Sequence, residues 1–333
     1  MRIAFEHRQA AHCENGAAAN LLRFHGLDLS EPLVFGVGAG LFFAYLPFIT
    51  VAGAPAFSFR TLPGRIFSRA ARQLGVRIVR RKFREQEAAM TELDRVLDRG
   101  IPVGCVVGVF HLPYFPPAYR FHFNAHNLVV TGREGNRYFV SDPIMEAPTE
   151  LSREELVRVR FARGVFAPRG HMYHIEGPVG APDIGRAVRR GIRETCGAML
   201  RIPVPLFGVR GIRFLAWRMR RWRERLGDAR AALALGQIVR MQEEIGTGGG
   251  GFRFIYAAFL QEAAVALGRP ELEQASQGMT AIGDRWRGFA LQASRIFKER
   301  RGGDAAYGEA ADLLLEIADL EQRAFRELQT LVR

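Results

Sequence analysis

The sequence predicts an α+β amino-terminal domain followed by an all-α domain. Three observations carry this. Up to about residue 178, helix-like stretches stopped by glycine alternate with short apolar runs of strand character. Beyond Pro182 the strand signals nearly vanish and long patterns of period 3.6 take over. Between them stands Gly177-Pro178-Val179-Gly180-Ala181-Pro182, a stretch with linker composition. The expected domains are therefore residues 1–178 and 182–333.

The elements follow in order. Cys13 to His25 reads as a helix stopped at Gly26, and Leu33 to Val51 as buried strands punctuated by glycine. Pro63 to Leu74 suits a short helix and Val76 to Val79 a strand. Arg84 to Asp98 repeats apolar residues at Ala88, Leu93, Val96 and Leu97 and stops at Gly100, the pattern of an amphipathic helix. Pro102 to Phe110 reads as a buried strand. Phe123 to Thr131 and Arg137 to Val140 form a hairpin about Glu134-Gly135-Asn136. Ser152-Arg153-Glu154-Glu155 is a capping box, in which serine and glutamate satisfy each other's end of the first turn. Met172 to Ile175 is a closing strand. The second half reads as helices at Ile184 to Leu200, Ile212 to Leu226, Ala229 to Ile245, Phe252 to Leu267, Glu271 to Arg300 and Ala305 to Leu331.

A chain of 333 residues with 48% hydrophobic content can bury two cores. Its most apolar window, Pro32 to Ala56, is broken by glycine and proline and lacks the roughly 20 continuous apolar residues of a membrane span. Met1 to His7 has no apolar core of a signal peptide. Three widely spaced cysteines, with no C-x-x-C, argue against a disulfide framework and for a cytoplasmic setting. The net charge is +13. Much of the excess lies between Arg186 and Arg230, where thirteen arginines face only Glu194, Glu224 and Asp228. Such a stretch is either a solvated helical face or a surface for an acidic protein or a phosphate-bearing ligand. No zinc finger, helix-turn-helix or RNA-binding signature speaks for nucleic acid.

Cys13 stands out chemically. It opens a helix in His12-Cys13-Glu14-Asn15-Gly16, where unpaired backbone N–H groups and the helix dipole favour a thiolate, the reactive form of cysteine. A thiol nucleophile needs a base and a group to hold that base. His126, in Ala125-His126-Asn127, and Asp142, in Ser141-Asp142-Pro143, lie on adjacent strands of the expected hairpin and supply both. The competing view makes Cys13 a buried structural thiol and His126 a core histidine. An oxyanion formed in acyl transfer needs donors. The backbone N–H of Cys13 is one, and His7 or Gln9, just upstream, is the expected side-chain donor.

Other features resolve less sharply. His122 and His126 have helical metal-pair spacing, but on a strand they lie roughly 13 Å apart; no metal is expected, and His122 is a candidate for the substrate pocket. Gly246 to Gly251 formally contains G-x-G-x-x-G but follows a helix and lacks the acidic residue of a dinucleotide site. It is either an interhelical connection or an anion cradle in which Gly248, Gly249 and Arg253 bind a phosphate or carboxylate. Cys105 and Cys196, each amid apolar residues, are expected in the core.

His12-Cys13-Glu14-Asn15-Gly16, Leu21-Leu22-Arg23-Phe24-His25-Gly26 and Ser30-Glu31-Pro32-Leu33-Val34-Phe35-Gly36-Val37-Gly38-Ala39-Gly40 resemble the butirosin-biosynthesis BtrH N-terminal family. Ala125-His126-Asn127 and Ser141-Asp142-Pro143 extend the likeness. Gly246 to Phe252-Arg253 and Phe259-Leu260-Gln261-Glu262-Ala263 resemble the helical domain that commonly follows it. The resemblance implies a papain-like cysteine-peptidase fold used for acyl transfer. Cys13 would take an acyl or aminoacyl group from the phosphopantetheine thioester of an acyl carrier protein, His126 would act as base and Asp142 would hold its imidazole. An amine would be the acceptor, with no cofactor bound to the chain itself. The alternative on the same fold is a thiol hydrolase: peptidase, amidase or thioesterase.

Overall fold

The computed structural model describes residues 1–51, 53–299 and 303–333. They divide into two units that the chain enters twice each. The first comprises Met1–Val34 and Ile66–Pro182, the second Phe35–Arg65 and Asp183–Arg333. The expected domains of 1–178 and 182–333 therefore need one correction: Phe35–Arg65 belongs with the carboxy-terminal helices.

In the first unit, a six-stranded antiparallel sheet is assembled from β3 (Ile78–Arg81), β4 (Val103–Val107), β5 (His126–Glu134), β6 (Arg137–Ser141), β7 (Thr149–Ser152) and β8 (Met172–Ile175), in the order β3-β8-β4-β5-β6-β7. Alternation along the strands splits the side chains between two faces. Cys105, Leu128, Val130, Tyr138, Val140 and Met172 turn to one side, where Leu93 and Val96 of α4 (Gln86–Leu97) and Leu156 and Val159 of α5 (Arg153–Arg160) complete a dry core. Ser152 and Glu155 form the expected capping box of α5. Gly104, Asn127, Val129 and Tyr173 alternate with the core-facing set. On their side β4, β5 and β8 pack against α1 (Cys13–Phe24), which is buried from Cys13 to Leu22. Its run Ala17-Ala18-Ala19 keeps the helix close to the sheet, because small side chains hold it at short range. α3 (Arg65–Gln73) follows.

α2 (Glu31–Val37) replaces the first part of the stretch expected as strand. The Ser30 hydroxyl accepts the Leu33 N–H at 3.1 Å, and proline sits in the first turn, so the local capping chemistry outweighs the apolar, glycine-rich composition.

In the second unit, β1 (Leu41–Val51) and β2 (Ala54–Arg60) form an antiparallel hairpin against α6 (Ile184–Leu200), α7 (Gly208–Met219) and α9 (Asp228–Val239). Phe43, Tyr45, Phe57 and Phe59 are buried, while Phe48, Ile49 and Val51 at the tip are exposed, so only the first half of β1 is the buried strand expected. α8 (Trp222–Leu226), α10 (Arg253–Leu267), α11 (Glu271–Glu299) and α12 (Asp304–Leu331) complete the unit. From Asp183 onward the described residues form helices and turns and no strand. The expected last residue of α11, Arg300, lies outside the described residues.

Arg253 and Glu321 form an ion pair at 2.8 Å with both side chains fully buried. Trp286 Nε1 donates to the same Glu321 oxygen at 2.8 Å, and the guanidinium lies over the rings of Phe59 and Trp286. Truncating one partner strands the other charge without water. Arg253→Met is expected to cost about 3–5 kcal/mol of stability, measured by chemical denaturation; a loss below 1 kcal/mol would mean that the pair does not brace this core.

Candidate active site

His12 caps α1: its Nδ1 accepts the Asn15 N–H at 3.4 Å. The Glu14 carboxylate accepts the N–H groups of Ile66 and Phe67 at 3.0 and 3.3 Å and so caps α3. Gly16 leaves room for close approach, since a Cβ there would stand 2.5 Å from Ala10 and 2.6 Å from Pro143. Pro143 O also accepts the Ala10 N–H at 2.7 Å. The segment that carries Asp142 is thereby drawn against the start of α1. From α2, Glu31 accepts the N–H groups of Ala11 at 2.9 Å and His12 at 2.7 Å, which fixes the approach to the cysteine. Burial pushes the Glu31 carboxyl up, and those N–H groups together with the Asn15 side chain pull it partly back.

His126 opens β5 opposite Val107, and Asp142 directly follows β6. In an antiparallel pair the start of one strand lies beside the end of the next, so the hairpin expected from sequence delivers both groups to one place. His126 Nε2 and Asp142 Oδ2 are 2.7 Å apart and buried. Cys13 completes the cluster. Burial of the His126 ring opposes its charge, but the charges of Asp142 and the Cys13 sulfur and the hydrogen bonds to both outweigh this, raising the imidazole from 6.5 to about 10. A cationic ring held beside a sulfur at a helix N-terminus favours a thiolate–imidazolium pair, which is chemically a nucleophile with a proton donor at hand.

Residues that the motifs did not single out surround these three. Tyr114 OH donates to Asp142 Oδ2 at 2.8 Å, and the Ile144 N–H to Oδ1 at 3.1 Å. Phe115 meets the His126 ring edge-on at a centroid distance of 5.4 Å. Asn127 donates from Nδ2 towards Cys13 Sγ at 3.9 Å. Asn127 stands directly after His126 in Ala125-His126-Asn127, and nothing in its spacing marks it off from the other polar residues of the strand; Tyr114 lies in a loop without periodicity. Tyr114→Phe leaves the Asp142 oxygen with one donor fewer. A fall of about 10-fold in the rate at Cys13, with the fold retained, is expected from transient kinetics; an unchanged rate would make this hydrogen bond catalytically idle.

Both ring nitrogens of His7 are engaged, Nδ1 with Ser141 Oγ at 2.7 Å and Nε2 with Met145 O at 3.0 Å. His7 therefore braces the Asp142 segment and has no ring N–H left for an oxyanion. Gln9 Nε2 donates to Ile144 O at 3.3 Å on the same segment. His122 is exposed and stacks on Phe110 at 4.1 Å. The anion cradle is corrected. Arg253 is spent on Glu321, the Gly249 N–H on Thr247 Oγ1 at 3.0 Å, and the Gly250 N–H on the Glu243 carboxylate at 3.1 Å. Gly248 turns there at φ +67°, so glycine serves a closed internal turn. Within the arginine-rich stretch, Arg213 pairs with Asp319, Arg220 with Asp312, and Arg223 with Asp228 and Asp304. Acidic residues on α12 thus answer part of its charge. Cys105 and Cys196 are buried, and burial pushes both thiols up, Cys196 to about 12.

Residues 12–143 match the family model for butirosin biosynthesis protein H, N-terminal, and residues 154–328, just over half of the chain, match the domain of unknown function DUF4872. The chain belongs to the BtrH-like family. The fold expected from the resemblance is present: an α+β unit with a cysteine-bearing helix against an antiparallel sheet, followed by a helical region. No protein of curated function matches this BtrH-like chain. Among solved structures, a protein described as a C39-like peptidase from Bacillus anthracis aligns at 11% identity and a TM-score of 0.38, over 54% of this chain and all of that one. No helix among the described residues is long and apolar enough to cross a membrane.

Proposed function

We propose that this BtrH-like chain is a cysteine acyltransferase that receives an acyl or aminoacyl group from the phosphopantetheine thioester of an acyl carrier protein and delivers it to an amine. The observation that carries the reading is the convergence of Cys13, at the start of α1, with the buried His126–Asp142 pair. In the first half-reaction the Cys13 thiolate attacks the thioester carbonyl, the bond to the pantetheine sulfur breaks, and that sulfur leaves with the proton of His126. Neutral His126 then takes a proton from the incoming amine as the new C–N bond forms and the Cys13 thiolate departs. The backbone N–H of Cys13 supports the oxyanion of each tetrahedral state. Exposed Arg186 and Arg189 on α6 suit an acidic carrier and its phosphate.

The test is intact-protein mass after mixing with a panel of acyl-loaded carrier proteins. A gain of one acyl group that disappears on adding an amine, with amide formed, supports the transferase. Free acid released without need of an amine would replace it with a thiol hydrolase. No adduct with any carrier, thioester or peptide would remove the carrier donor from the reading.

A further inference from the structure

The nucleophile has a second set of neighbours besides the histidine arm. Asn127 is buried on the α1-facing side of β5, and each of its polar atoms has a partner. Nδ2 donates to Ala125 O at 3.2 Å and towards Cys13 Sγ at 3.9 Å, while Oδ1 accepts the hydroxyl of Tyr173 at 2.8 Å. Tyr173 sits two strands away on β8, so its ring must cross β4 to reach Asn127. It does so over Gly104, where any Cβ would stand 2.1 Å from the ring. Phe67 packs on the other part of the ring at a centroid distance of 5.6 Å. The phenol stays a donor: burial, and after it the charge of Glu14, raise it well above 10.

A buried asparagine is costly unless fully bonded. Here its carbonyl is fixed from outside, which turns the amide nitrogen towards both Ala125 O and the Cys13 sulfur. An N–H···S contact of 3.9 Å is long, and such a contact tightens when the sulfur is charged, because hydrogen bonds to ions are shorter and stronger. His126 cannot supply this donor alone, since it must part with its proton during turnover.

We infer that Asn127 is a catalytic residue that donates a hydrogen bond to the Cys13 thiolate, with Tyr173 as the positioning residue that orients its amide across Gly104. The inference rests on Cys13 being the nucleophile of the proposed reaction. It asks nothing of the donor or acceptor, so it can fail while that reaction stands.

The test is the pH dependence of Cys13 alkylation by iodoacetamide, followed by intact mass in the full chain. Removing the amide with Asn127→Leu, which roughly keeps volume, should move the midpoint up by about one unit, so labelling below the midpoint slows about 10-fold. Tyr173→Phe should move it in the same direction by less. A merely structural brace would lower thermal stability without moving the midpoint. If both variants keep the wild-type midpoint, the inference is overturned. Wild-type Cys13 labelling no faster than Cys105 and Cys196 would overturn it too, by removing the nucleophile itself, whereas a shifted midpoint in a protein that accepts no carrier thioester would uphold it and sink only the donor.

Discussion

Cys13→Ala is expected to yield a folded protein that forms no acyl adduct and transfers nothing. Removal of the nucleophile from a triad lowers turnover by as much as about 10⁶-fold, since the remaining groups lose the atom they serve. The fold should survive. The substitution removes one sulfur from a site beside a small-residue helix, for a cost of about 1 kcal/mol. The capping contacts of His12, Glu14 and Glu31 do not involve the thiol and remain. Matched circular dichroism together with absent adduct supports the assignment. Turnover above a few per cent of wild type would mean that the acyl group travels by another route.

Asp142→Asn should be nearly as severe, by about 10³- to 10⁴-fold, because the base loses the anion that fixes its tautomer and steadies its charge. The pH behaviour provides an independent readout. His126 carries its proton up to about 10 in the folded chain against 6.5 ordinarily. A group raised on folding contributes stability that is complete below the ordinary value and disappears as pH climbs through the folded value. Wild-type stability should therefore decline between pH 6.5 and 10, and cleavage of a thioester, which needs the imidazolium to protonate the leaving sulfur, should hold until that proton is lost near the upper end. Asp142→Asn should flatten the stability decline and bring the loss of the imidazolium to lower pH. Chemical denaturation at pH 7 and pH 10 measures the first effect. A variant with the same slope as wild type would show that Asp142 does not hold the His126 charge.

Much of the site was legible because its signals are local. A cysteine at a helix start, a hairpin with a polar residue at each end and a serine–glutamate capping box all sit within a few residues of the element they shape. α2 does not show in the pattern, because glycine and aliphatic residues suit a buried strand as well as a packed helix. At Gly36 the decisive fact is tertiary: a Cβ would stand 2.1 Å from Phe259. Arg253 after a glycine run looks like an anion site until Glu321, far along the chain, is seen to neutralise it. Tyr114, Glu31 and Tyr173 reach the site from separate loops, helices and strands, and no period or spacing links them to Cys13. Such partners become visible only when the chain is folded.

The path of the chain between its two units bears on inheritance. The BtrH-type match of residues 12–143 includes the hairpin of β1 and β2, yet those strands bury their aromatic residues in the core of the other unit. A cut in the linker before Asp183 would send each half away with a debt. The front half would carry an orphaned ribbon of aromatic residues, and the rear half would lose the hairpin that α6, α7 and α9 pack against. Neither half can be traded as a self-sufficient cassette. Recombination that swaps one for a relative's must bring a matching ribbon with it.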